Sequence, residues 1–175
     1  MWRKKPARKH WTFWITMAFV LACDQVTKAM VERFIPLYES IPVIGGLFNI
    51  IHVKNTGVAF GLFAGDISPF RTVFFIGITI VALIVIFLIF RRIKGDRFLV
   101  PLSLGMIMAG AVGNLVDRIR WGYVVDFLDV YWHDFHWPAF NVADSAITVG
   151  VLLLLIENLF LSREKDGSGE VTRSA

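Results

Sequence analysis

The sequence predicts an all-helical membrane fold of four transmembrane helices, with both termini on the cytoplasmic side. Three observations predict it. Of the 175 residues, 56% are hydrophobic and only 18% charged, whereas soluble domains carry roughly a quarter charged residues. The apolar residues fall into four blocks, each close to the roughly 20 residues that cross a bilayer. Most of the 18 Lys and Arg gather in three short segments beside those blocks. The net charge of +4 is thus placed at the membrane ends, and no basic stripe remains for a nucleic acid. Cys23 is the single cysteine, so no intramolecular disulfide scaffold is available.

The first span is expected at about 11–29, interrupted near its end by Asp24, Gln25 and Lys28. The second, 72–90, holds no charged residue. The third, about 99–116, is rich in small residues: Ser103, Gly105, Ala109, Gly110, Ala111 and Gly113. The fourth, 142–161, begins with Asp144 and carries Glu157 and Asn158 near its end. Arg3, Lys4, Lys5, Arg8 and Lys9 precede the first span; Arg91, Arg92, Lys94 and Arg97 join the second to the third; Arg163, Lys165 and Arg173 follow the fourth. The positive-inside rule puts all three segments in the cytoplasm. Trp11 and Trp14 then suit the inner interface, and Trp121, Trp132 and Trp137 the outer one.

Two loops face outward on this topology. In the first, about 31–71, the β-branched runs Ile41–Ile44 and Leu47–Val53 flank Gly45-Gly46 and read as a hairpin. A lone two-stranded hairpin is marginal, so this one must pack on the outer leaflet or on helix ends. The second loop, 117–141, is dense in aromatics and carboxylates. One membrane domain covers 1–161, and the polar tail 162–175 is expected to be disordered. Val20-Leu21-Ala22-Cys23 loosely resembles a lipobox. Cleavage there would leave three spans and an external C-terminus, against the charge pattern.

Ionisable groups in or beside spans are costly and call for a functional hypothesis. Here they converge on the outer ends: Asp24 and Lys28; Asn55; Asn114, Asp117 and Arg118; Asp126; Asn141 and Asp144. Each also has a plain structural reading. Asp24 and Lys28 are spaced as a helix ion pair. Asn141 and Asp144 have capping-box spacing, which for Asp144 weighs evenly against catalysis. Arg118 could snorkel to the interface. The small residues of the third span permit close helix packing. His133-x-x-His136 lacks the carboxylate-rich helical context of a zinc site, so no metal is assigned.

The sharper reading joins Asp126 and Asp144. Two carboxylates close together at a partly dehydrated interface cannot both ionise easily, so they share a proton. One can then activate a water while the other protonates a carbonyl oxygen. No Ser or Cys nucleophile with a His partner competes.

At these residues the sequence resembles the lipoprotein signal peptidase (signal peptidase II) family. Asp24–Lys28, Asn55–Gly61, Gly110–Arg118, Gly122–Phe127 and Phe140–Asp144 are similar to its motifs, in order, over about residues 11–161. The family often opens its third motif with a Gly pair; here Ala109 precedes Gly110, which touches only local packing. The resemblance implies an aspartyl endopeptidase of the bacterial inner membrane, active near the outer leaflet. Its substrate would be a diacylglyceryl-modified prolipoprotein, cut just before the lipidated Cys. It implies a small extracytoplasmic β-cradle, assigned to the first loop, and a mobile flap, assigned to the second. Asp126 and Asp144 would be the dyad. Asn55, Asn114, Arg118 and Asn141 would line the site, with Asp24 and Lys28 supporting it. No cofactor is expected, because the attacking group is water; membrane lipids and substrate are the expected partners of a monomer. The rival class is a small transporter or proton relay, which would place ionisable groups near the midplane and often show inverted repeats.

Overall fold

The computed structural model describes residues 8–57, 69–93 and 98–170, with residues 160–170 as backbone only. Its elements in order are α1 (Arg8–Phe34), β1 (Ser40–Ile44), β2 (Phe48–Asn55), α2 (Pro69–Arg92), α3 (Leu99–Trp121), β3 (Val124–Trp132), β4 (Phe135–His136) and α4 (Val142–Glu170). The four helices are each long and apolar enough to cross a membrane. Arg3, Lys4, Lys5, Lys94, Arg97 and Arg173, and the Val58–Gly61 part of the second motif, lie outside the described residues.

Helix α1 runs past the expected end at Ala29 because its charges find partners inside the bundle. Asp24 and Lys28 are buried, at 0% and 3% exposure, and the helix carries them without a break. Helix α3 likewise extends beyond Val116 and takes Asp117 and Arg118 into its last turns. It stops at Gly122, which sits at φ 78° and returns its N–H to the Arg118 carbonyl at 3.0 Å. A left-handed residue at that point is best supplied by glycine. The backbone of α4 continues to Glu170.

Helix α3 packs against all three other helices. Its glycines are the reason it can. A Cβ on Gly110 would strike the Ala143 carbonyl, and one on Gly113 would strike the Asp24 carboxylate. Ala109, at the departure from the family's Gly pair, is fully buried. Without a hydrophobic drive between helices in lipid, such close approach supplies the packing. Gly113→Ala is therefore expected to lower stability by about 1–3 kcal/mol through overpacking, read as a lower melting temperature in detergent. An unchanged melt would show that α1 and α3 do not meet at Gly113.

At the end of the bundle that carries Arg8 and Arg92, Phe13 and Phe90 stack with ring centroids 4.0 Å apart, beside buried Leu104 and Met108. Lys9 Nζ donates to the Ile93 carbonyl at 2.6 Å, just past α2. The opposite end carries the sheet.

That sheet corrects one expectation. The cradle is not made by the first loop alone: the strand order is β1-β2-β3-β4, all antiparallel, and β3 and β4 come from the second loop. The hairpin of β1 and β2 is there, turning at Gly45-Gly46 with Gly46 at φ 77°. Alone it would be marginal. Strand β3, whose Val124–Phe127 are all buried, gives it a third strand and a core. Val125 and Phe127 pack with Val31 and Ile35 at the end of α1, and with Val142 at the start of α4. The hairpin thus rests on helix ends, one of the two supports expected for it.

Candidate active site

Strand β3 places Asp126 where three helix ends meet. It pairs with β2 so that Val53 lies opposite Asp126 and Asn55 opposite Val124. Asn55 is then a diagonal neighbour of Asp126, within reach of a short side chain. Its Nδ2 donates to Asp126 Oδ2 at 2.8 Å. The other oxygen, Oδ1, accepts from Asn141 Nδ2 at 2.7 Å.

Asn141 connects the two carboxylates. It caps α4: its Oδ1 accepts the Asp144 N–H at 2.9 Å, and its own N–H donates to Asp144 Oδ2 at 3.3 Å. This is a reciprocal capping box. The capping reading and the site reading of Asp144 are therefore compatible, because the cap occupies one oxygen only. Asp144 Oδ1 accepts from Asn114 Nδ2 at 2.8 Å. Three asparagines from β2, α3 and the start of α4 thus hold the two acids.

Asn114 is itself oriented from behind. Lys28 Nζ donates to Asn114 Oδ1 at 2.9 Å, which fixes which end of the amide faces Asp144. The same ammonium lies 3.0 Å from Asp24 Oδ2 and 2.8 Å from Asp117 Oδ2. The helix ion pair expected between Asp24 and Lys28 is present, as part of a larger buried network. Asp24 Oδ1 also accepts the Ala143 N–H at 2.9 Å, tying α1 to the first turn of α4. A carboxylate there is favoured by the helix dipole as well.

Two members of this network were not singled out from sequence as site residues. Asp117 Oδ2 accepts the Val125 N–H at 3.3 Å, next to Asp126, and its Oδ1 accepts from Gln25 Nε2 at 3.1 Å. The signal for Asp117 was its place one turn from Asn114 on the polar face; that for Gln25 was its place between Asp24 and Lys28, among the polar residues that interrupt the first span.

Arg118 does not simply snorkel. It donates from Nη2 to the Gly57 carbonyl at 3.2 Å, and its guanidinium lies 5.3 Å from the Phe75 ring centre. Gly57 in turn donates its N–H to Asn55 Oδ1 at 3.0 Å. Arg118, Asn55, Asn114 and Asp144 line a cavity of about 600 Å³, together with Trp137–Phe140 and Ser145. Asp126 is 2% exposed. Burial first, then the charge of Asp144, raises its pKa to about 7, against the lowering pull of Asn55, Asn141 and Lys28. All eight residues expected at the site are thus gathered at one end of the bundle.

Four apolar helices, a small sheet and a pair of acids beside a cavity define an integral membrane protein with the makings of a hydrolytic centre. Residues 16–160 match the family described as signal peptidase (SPase) II. The chain is 51% identical over 145 residues to the lipoprotein signal peptidase of Geobacter metallireducens, covering 83% of this chain and 88% of that one. It is 49% identical over 155 residues to that of Syntrophus aciditrophicus, covering 87% and 95%. A solved bacterial membrane enzyme is similar in structure, with a TM-score of 0.77, 34% identity, and coverage of 86% of this chain and 89% of that chain. The chain belongs to the signal peptidase II family, and is an aspartic peptidase by class.

Proposed function

We propose that the chain cleaves diacylglyceryl-modified prolipoproteins just before the lipidated Cys, using water activated between Asp126 and Asp144. The observation that carries this is the bridge through Asn141, which donates its side-chain amide to one acid and its backbone N–H to the other. The pair titrates as a unit, so base and acid are not assigned to single residues. The ionised member takes a proton from water as the oxygen attacks the scissile carbonyl. The protonated member donates to the carbonyl oxygen, and the tetrahedral intermediate collapses as the leaving amine gains a proton. Asn55, Asn114 and Asn141 hold the dyad, and Arg118 at the cavity wall holds substrate backbone.

The basic end of the bundle, with Arg8, Lys9, Arg91 and Arg92, faces the cytoplasm of a bacterial inner membrane on the positive-inside rule. Both termini are then cytoplasmic, four spans cross, and the site lies near the outer leaflet. A signal peptide is helical in the bilayer, and its cut site reaches that depth without extraction. Membrane lipids surround a monomer, and no cofactor enters the reaction.

The experiment is cleavage of lipidated and unlipidated precursor by the purified protein, with the cut bond mapped by mass spectrometry across pH 5–9. The lipidated precursor is expected to be cut before the modified Cys, and the unlipidated one left intact. Cleavage should decline as pH rises through about 7. The sign follows from the raised pKa: above it the shared proton is lost, and no donor remains for the carbonyl oxygen. Cutting elsewhere, or equal cutting of both precursors, would refute the substrate assignment; rising activity above pH 8 would refute the shared-proton mechanism.

A further inference from the structure

Asp129 is a buried carboxylate outside the dyad. It lies on β3, as Asp126 does, and is 5% exposed. Two side chains hold it. Asn49 Nδ2 on β2 donates to Oδ2 at 2.9 Å, and His136 Nδ1 on β4 lies 2.8 Å from Oδ1. Facing a carboxylate, that nitrogen is the protonated one in the neutral ring and in the charged ring alike. The imidazole also stacks on Tyr131, with centroids 4.8 Å apart and an interplanar angle of 7°. Tyr131 is anchored in turn. Its hydroxyl accepts the Gly46 N–H at 2.9 Å, and its N–H donates to the Leu47 carbonyl at 2.9 Å.

His136 opens the stretch that walls the cavity. Trp137, Pro138, Ala139 and Phe140 follow it, all lining the cavity, and lead directly into Asn141. The inner end of this stretch is pinned by backbone, since Phe140 exchanges bonds with Leu128 at 3.1 and 2.8 Å. The outer end has less. β4 is two residues long, Pro138 has no N–H to give, and the Trp137 N–H to the Val130 carbonyl at 2.8 Å is the bond beside it. The side-chain link at His136, buried at its Asp129 end and half exposed at the imidazole, ties this short strand to β3. The hairpin also exposes Trp132, Phe135 and Trp137, an apolar surface continuous with the wall.

We infer that Asp129 and His136 are positioning residues, whose link sets the 137–140 wall against which the acyl chains of the substrate pack. This rests on the diacylglyceryl-modified precursor being the substrate. A preorganised wall spares the ordering cost that a loose one incurs on binding, so the link acts on affinity. The dyad is held by other bonds, through Asn55, Asn114 and Asn141, so the chemical step is left alone.

The test is steady-state cleavage of precursors carrying long or short acyl chains by wild type, His136→Phe, His136→Asn and Asp129→Asn. His136→Phe keeps the stack on Tyr131 and removes the donor; His136→Asn restores an amide N–H near the place of Nδ1. For the long-chain precursor, His136→Phe should raise KM roughly 3–10-fold, the range of one ordinary hydrogen bond at a half-exposed side chain, with kcat little changed. His136→Asn should recover most of that. The rise should shrink for the short-chain precursor, which reaches less of the wall. Asp129→Asn, which keeps shape and loses charge, should move KM in the same direction and serves if His136→Phe does not fold. A loss confined to kcat, a KM rise independent of chain length, or no rescue by His136→Asn overturns the proposal. A wild type that needs the lipid while His136→Phe and Asp129→Asn match it sinks this proposal alone. A wild type indifferent to the lipid sinks the substrate reading, and this with it.

Discussion

Asp126→Asn and Asp144→Asn are each expected to lower kcat/KM for the lipidated precursor by roughly 10³-fold or more, the scale set by losing a general acid–base group. Asn is nearly isosteric with Asp and can neither ionise nor serve as the base. The substitutions do carry a local structural cost. Each acid accepts from an asparagine amide on both oxygens or from an amide and a backbone N–H. Replacing one oxygen by NH₂ sets donor against donor. At Asp144 the conflict with Asn114 cannot be relieved by turning the Asn114 amide, because Lys28 holds its oxygen. At Asp126, turning Asn55 would sacrifice its bond from the Gly57 N–H. Melting curves must therefore accompany the rates. Loss of cleavage in variants that melt within a few degrees of wild type assigns the dyad; a fully active Asn variant would reduce that residue to a cap or an anchor.

Lys28→Met is expected to be the most destabilising single change at this end of the bundle. The ammonium is 3% exposed and contacts Asp24, Asp117 and Asn114. Met fills a similar volume and leaves two buried carboxylates facing one another without their counter-charge. Breaking a buried pair from one side costs about 3–5 kcal/mol. For a chain of this size each kcal/mol lowers the melting temperature by about 2–4 °C. Adding Asp117→Asn to Lys28→Met should recover part of the loss, since one uncompensated charge is then removed. A melt within about 1 kcal/mol of wild type would mean that water reaches the network and screens it, contrary to its burial.

The two cases show what a local pattern carries and where it ends. Four apolar blocks, their flanking cations and the small residues of the third block made the helices legible, because span length and charge placement are properties of consecutive residues. Asp126, Asp144 and the three asparagines could be named as well, since polar groups at membrane depth are rare enough to stand out. Asn141 and Asp144 even showed their cap, a contact between near neighbours. The ends of α1 and α3 could not be placed, because Asp24, Lys28, Asp117 and Arg118 look like span terminators until their partners are known.

The sequence by itself determined the membrane class and the order of helices, and it marked Asp126 and Asp144 as the acids to propose for the site. The tertiary structure alone decided that β3 joins β2 into one cradle from both loops, that Asp117 shares Lys28 with Asp24, and that Asp129 meets His136 beside the cavity wall. The physical reason is that each is a pairing across the chain. Strand register and the satisfaction of buried charge depend on which distant groups arrive at the same place, and nothing in a stretch of neighbouring residues records that.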